Sequence, residues 1–164
     1  MRYFPIFIII VTLLFSSCRE DFSAELSSGK LSFSKDTIYL DTVFTNIGSS
    51  TYHFKVYNKS NKDISIPTIS LGRGESSFYR LNVDGEAGKY FENTEILAKD
   101  SLYIFIETTI DYTQVLDPIY TDSIVFSGGG NLQDVKLVTL VQDAHFLYPS
   151  KHANGLISTI NIGI

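Results

Sequence analysis

From Lys30 onward, apolar residues recur at every second position. That spacing constrains the chain more than any other feature, because it suits a half-buried strand and not a helix. The clearest run is Leu102, Ile104, Ile106, Thr108 and Ile110, interleaved with Tyr103, Phe105, Glu107 and Thr109. Ile38, Leu40, Thr42 and Phe44 fall on one side of an earlier run, with Thr37, Tyr39 and Asp41 on the other. Tyr52, Phe54 and Val56 alternate with His53, Lys55 and Tyr57. The same reasoning predicts strands over 31–34, 63–70, 78–83, 89–96, 121–127 and 133–141.

Turn chemistry separates these runs. Asn46-Ile47-Gly48-Ser49, the polar stretch Asn58 to Asp63, Lys99-Asp100 and Gly128-Gly129-Gly130-Asn131 each fall between two of them. Asp84-Gly85 begins a hairpin, since both residues accept positive φ. Pro67 interrupts its run, which predicts an edge strand or a bulge. Short strands every 8–12 residues with no helix between them indicate an antiparallel sandwich or barrel. A composition with ten Tyr and twelve Phe leans the same way. We expect an all-β chain, an immunoglobulin-like antiparallel β-sandwich over residues 30–149. The single cysteine rules out an internal disulfide, so the core rests on aliphatic and aromatic packing.

Ahead of this region stands a different kind of segment. Residues 1–17 read as a basic start at Arg2, an apolar run from Phe4 to Phe15, and small residues Ser16-Ser17. The run is roughly 12 residues long, short of the ~20 that a bilayer-spanning helix needs, so it reads as a cleaved signal peptide. Phe15-Ser16-Ser17-Cys18 resembles a bacterial lipobox, although Phe15 stands where Leu is usual. The resemblance implies that Cys18 carries acyl chains and anchors the protein to a membrane; two or more chains give stable anchoring. Arg19, Glu20 and Asp21 then resemble the export signal of Bacteroidetes lipoproteins, which implies the outer face of the outer membrane. Residues 18–29, with Ser23, Ser27, Ser28 and Gly29, are expected to form a flexible tether. The tail 150–164 has no clear strand plan.

Within the sandwich region, Asp41-Thr42-Val43-Phe44, Gly48, Phe54-Lys55-Val56-Tyr57-Asn58, Ile64-Ser65-Ile66, Ser101 to Ile106 and Asp122 to Phe126 resemble bacterial ASH, or hydin-like, immunoglobulin-like domains. More narrowly, 31–149 is similar to the N-terminal domain of Bacteroidetes surface lipoproteins in which a β-helix-like region follows. These motifs are strand packing, so the resemblance implies fold and address and not chemistry.

No constellation for catalysis stands out. The histidines are His53, His145 and His152, without HExxH spacing, and no GxSxG elbow is present. His53 lies on the polar side of its strand and reads as a solvated surface residue. Asp111, Asp117 and Asp122 flank a loop around Pro118, and Asp84 neighbours Glu86, but none follows a calcium-loop spacing; they read as turn residues, and no cofactor is expected. Gly72-Arg73-Gly74 and Gly128 to Gly130 precede no helix and read as turns. A net charge of −5 with no basic cluster argues against nucleic acid.

The aromatic residues are more informative. Tyr39, Tyr57, Tyr103 and Phe105 lie opposite the apolar rows, and if their faces adjoin they make an aromatic patch for a protein or a glycan. The absence of Trp weakens the glycan reading. The expectation is a lipid-anchored, non-enzymatic binding, adhesion or assembly module of the cell envelope; the alternative is a surface glycan-binding lipoprotein of an uptake system.

Overall fold

In a computed structural model, residues 23–144 and 146–158 are described. The segment 1–17 expected to be a signal peptide, Cys18, the residues Arg19, Glu20 and Asp21 expected to be an export signal, and His145 lie outside them. Among the described residues no helix is long and apolar enough to cross a membrane.

The chain forms eleven strands among the described residues: β1 (Glu25–Leu26), β2 (Ser32–Phe33), β3 (Thr37–Phe44), β4 (Tyr52–Tyr57), β5 (Ile64–Leu71), β6 (Tyr79–Val83), β7 (Glu86–Gly88), β8 (Tyr90–Ile96), β9 (Ser101–Thr108), β10 (Ile119–Gly128) and β11 (Asn131–Gln142). They build two sheets. The first runs β8-β5-β10-β11-β3, with β1 sharing one side of β5 with β10. The second runs β2-β4-β9-β6-β7. Pairing is antiparallel except for β1 with β5 and β3 with β11. The fold is an immunoglobulin-like β-sandwich, as expected.

One core lies between the sheets. Phe54, Val56, Leu81, Ile104 and Ile106 enter it from the second sheet, and Ile38, Ile66, Ile69, Ile124, Phe126 and Leu137 from the first. Phe126 meets Phe54 nearly edge to face, with ring centroids 6.4 Å apart. Tyr79 is fully buried, and its hydroxyl donates to the Thr139 hydroxyl at 2.9 Å. Burial raises its phenol pKa well beyond the ordinary range, so the ring stays neutral.

Strands β4, β9 and β6 of the second sheet keep the predicted alternation, as do β10 and β11 of the first, but β3, β5 and β8 of the first do not. In β3 an extra residue enters the register between Leu40 and Val43, opposite Thr139 and Val141. Ile38, Leu40 and Val43 therefore point inward, while Thr42 and Phe44, expected in the inward row, face out. Pro67 sits in an interior strand, not at an edge. Its lack of an N–H falls where β5 changes partners, from β1 at Ser65 to β10 at Thr68. Alternation resets there, with Ile66 and Ile69 inward three residues apart. Strand β8 makes the matching reset between Thr94 and Phe91, across Asn93 at φ 52°. Ile66 pairs with Thr94 and Ile69 with Phe91, so both strands shift together and register survives.

The tether is shorter than expected. Instead of remaining loose to residue 29, the chain docks from Glu25, whose N–H donates to the Asp63 carbonyl at 3.0 Å, and Ser27 is buried. Gly29, at φ 72°, lies so close to Gly128 and Asn131 that a Cβ there would clash with both. The Gln133 amide then clamps Leu31, accepting from its N–H at 2.8 Å and donating to its carbonyl at 3.0 Å. At the other end, the tail folds back as Lys151 bridges Ile157.

Candidate functional site

Strict alternation in β4 and β9 sends His53, Lys55 and Tyr57 outward from one strand and Tyr103, Phe105 and Glu107 from the next. Register then decides which of them meet: His53 lies opposite Phe105, Lys55 opposite Tyr103, and Tyr57 opposite Ser101. The Tyr103 and Phe105 rings lie 6.1 Å apart and 19° from parallel. The His53 ring packs against both, at 5.6 Å and 5.9 Å. Lys55 places its ammonium 4.6 Å from the centre of the Tyr103 ring. The Tyr103 hydroxyl is the main cause that holds this ammonium above its ordinary pKa. Tyr103 and Phe105 remain 42% and 40% exposed, so ring surface that water solvates poorly stays open to a partner.

Beyond Phe105 the next strand, β6, adds Asn82 and Arg80, opposite Phe105 and Glu107. The Arg80 guanidinium lies 3.8 Å from Glu107 and donates to the Thr109 hydroxyl at 3.2 Å. Between Phe105, Arg80, Asn82 and Ala87 lies a shallow hollow of about 210 Å³. That volume falls below the roughly 300–1,000 Å³ of a small-molecule pocket. The surface is therefore an aromatic ledge with a cationic margin, suited to contact across a face more than to enclosure.

Of the four aromatic residues expected to share a patch, the structure brings Tyr103 and Phe105 together, with Tyr57 at the border. Tyr39 is 70% exposed but belongs to β3, in the other sheet. Its face does not adjoin theirs, because alternation fixes only whether a residue points in or out, not which sheet receives the strand. The polar side of β4 predicts a solvated surface histidine at His53. It is exposed, yet it completes the ring cluster. The signal was its place between Tyr52 and Phe54, but only the 53-to-105 register discloses the contact.

The carboxylates act in turns. Asp111 caps a 3-10 turn at Tyr112–Gln114, accepting from the Thr113 N–H at 2.9 Å and hydroxyl at 2.8 Å. Those bonds, led by the hydroxyl's, hold its carboxyl below the usual range. Asp117 accepts from the Ile119 N–H at 2.8 Å. Asp122 accepts from the N–H groups of Arg73 and Ser123 and from the Ser77 hydroxyl. Among the described residues no three His, Cys, Asp or Glu side chains gather as a metal site. Gly129 and Gly130, both at positive φ, close the β10–β11 hairpin, and Asp84-Gly85 closes β6–β7 in the same way.

Neither a protein-family model nor a curated protein matches this sequence. Solved structures resemble it in fold. A family 123 glycoside hydrolase from Clostridium perfringens aligns with a TM-score of 0.50 at 10% identity, over 66% of this chain and 23% of its own. An ASH/PapD-like domain of a human protein aligns at 0.44 and 11%, over 80% of this chain and 97% of its own. The Escherichia coli chaperone DraB aligns at 0.46 and 12%, over 73% and 57%. The chain thus spans less than a quarter of the hydrolase's length, and these likenesses concern the fold alone.

Proposed function

We propose that this chain is a non-enzymatic binding module, held at the bacterial outer membrane by lipid on Cys18 and contacting an envelope protein through the outer face of its second sheet. The observation that carries the reading is the cluster of His53, Tyr103 and Phe105, stacked yet open on a sheet whose other side is fully committed to the core. Exposed rings of this kind give contact area at low conformational cost. The test is a photo-crosslinking residue at His53, compared with one at Glu92 on the outer face of the other sheet, in cells that make the protein. An adduct with an envelope protein from position 53 and none from 92 is the expected result. Adducts from both, or from neither, overturn the reading. A glycan ligand is the second reading, which rests on the same rings: it predicts retardation in a polysaccharide gel that Tyr103→Ala abolishes. Protease treatment of intact cells separates a surface address, where the protein is digested, from a periplasmic one, where it survives until lysis.

A further inference from the structure

The docked segment 25–31 carries a consequence for how the molecule stands on a membrane. A tether free from Cys18 to Gly29 would reach ~40 Å at about 3.4 Å per residue, as far as the twelve-residue strand β11 is long, also ~40 Å. Such a leash lets the sandwich lie in any orientation. The docked segment takes up much of that length. Glu25 and Leu26 pair with Ile64 and Ser65, Ser27 is buried, Gly29 is packed against Gly128, and Gln133 grips Leu31. Only the seven residues from Cys18 to the start of β1 remain, a reach of at most ~25 Å.

We propose that the pole formed by the 58–63 and 97–100 loops faces the lipid surface, and that the strap 25–31 is what turns it there. This rests on the lipid anchor at Cys18. The strap enters the sandwich at that pole, since Glu25 lies beside Asp63 and the 58–63 and 97–100 loops are joined there. Lys99 donates from its backbone N–H to the Ser60 carbonyl, and Asn58 donates to the carbonyls of Lys62, Ile96 and Leu97. The turn at Gly74–Ser76 and the loop 109–118 lie at the opposite ends of the same strands and are carried away from the membrane. The His53–Tyr103–Phe105 face stands between the two poles, turned sideways and clear of the headgroups. Lys59, Lys62 and Lys99 at the near pole are matched in number by Asp63, Asp100 and Asp84, the last sharing a hollow with Leu97 and Asp100, so chain connectivity sets the orientation, not attraction to anionic lipid, and salt leaves it unchanged.

The test uses the acylated full chain in vesicles of phosphatidylcholine and phosphatidylglycerol that carry a headgroup acceptor dye. Acylation of Cys18 leaves an introduced cysteine as the single labelling site, so one donor dye is placed by Lys59→Cys and another by Glu75→Cys. Stronger energy transfer from position 59 than from 75, equal at low and high salt, is the expected result. Equal transfer from both, or stronger transfer from 75, overturns the orientation while leaving the anchor intact. Labelling of the parent chain, which has no introduced cysteine, shows a free Cys18 thiol and overturns the anchor together with the orientation. Gly29→Val, checked for a retained thermal transition, is expected to dislodge the strap and bring the two positions to equal transfer; an unchanged difference shows that the strap does not set the pole.

Discussion

In β9 of the second sheet, Ile104, Ile106 and Thr108 enter the core at every second residue, whereas in β5 of the first sheet Ile66 and Ile69 enter it three residues apart. Strand β8 changes phase beside β5, and β3 does so alone by taking an extra residue against β11. These three strands of the first sheet therefore solve the packing problem differently from β9, while β10 and β11 beside them alternate as β9 does. A strand that alternates strictly commits its whole outer row to solvent. The aromatic ledge exists because β4 and β9 both do this in register. A strand that resets can bury its two ends while releasing its middle, as β5 does where it passes from β1 to β10. Regularity in β4 and β9 yields a continuous face; in β5 the reset at Pro67 falls between the stretch that β1 pairs and the stretch that β10 pairs.

The largest expected effect comes from breaking the regular strand β9. Ile106 is fully buried, and Ile106→Ala should cost about 2–5 kcal/mol in urea denaturation, the range for truncating a core aliphatic. A loss below 1 kcal/mol is incompatible with the packing described. The irregular strand β3 offers a sharper pair. Val43→Ala should cost about 2 kcal/mol, from two buried methyl-sized groups at ~0.8 kcal/mol each plus the cavity. Thr42→Ala should stay within about 0.5 kcal/mol. Unbroken alternation from Ile38 gives the reverse order, so the pair distinguishes a bulged β3 from a regular one.

This contrast also explains what could be read beforehand. The inward rows of β4 and β9 were legible because side-chain period alone determines them. So were the two hairpin turns closed by Asp84-Gly85 and Gly129-Gly130, where positive φ demands such residues. The sheet to which β3 belongs was not legible, and with it the separation of Tyr39 from Tyr103, because sheet membership depends on pairing between distant segments. The reset at Pro67 was half legible: proline announced an irregularity, but not that β8 answers it at Asn93. Docking of residues 25–31 left almost no trace, since Ser27, Ser28 and Gly29 have the composition of a linker. They pack through small size and backbone approach, which composition does not separate from flexibility.

A smaller effect tests whether the paired reset depends on backbone conformation at Asn93. At φ 52° an Asn is accommodated far better than most residues with a Cβ. Asn93→Ala should cost about 1 kcal/mol, and Asn93→Gly should cost less, both read from the denaturation midpoint. If the alanine variant matches the parent, the left-handed conformation is not holding β8 in phase with β5. Neither change should alter labelling or crosslinking at the second sheet's outer face, since β8 belongs to the first sheet.

The smallest effect concerns the crossover from the second sheet to the first, where Asp111 caps the turn between β9 and β10. Hydrogen bonds from the Thr113 hydroxyl and N–H favour the carboxylate, so its folded pKa lies below the ordinary value of about 3.9. A depressed folded pKa means that the unfolded chain takes up a proton first. The stabilising contribution is then complete above the ordinary carboxylate pKa and disappears as pH falls through the folded one. Asp111→Asn removes that titration. The melting-temperature gap between parent and variant should be widest near neutral pH and should close on acidification, with the parent the more stable protein while the gap persists. A gap that stays constant through the acid range means that the carboxylate's charge does not hold the turn, and leaves the crossover fixed by the Val115 N–H bond to the Tyr112 carbonyl and the half-buried Val115 side chain against the core.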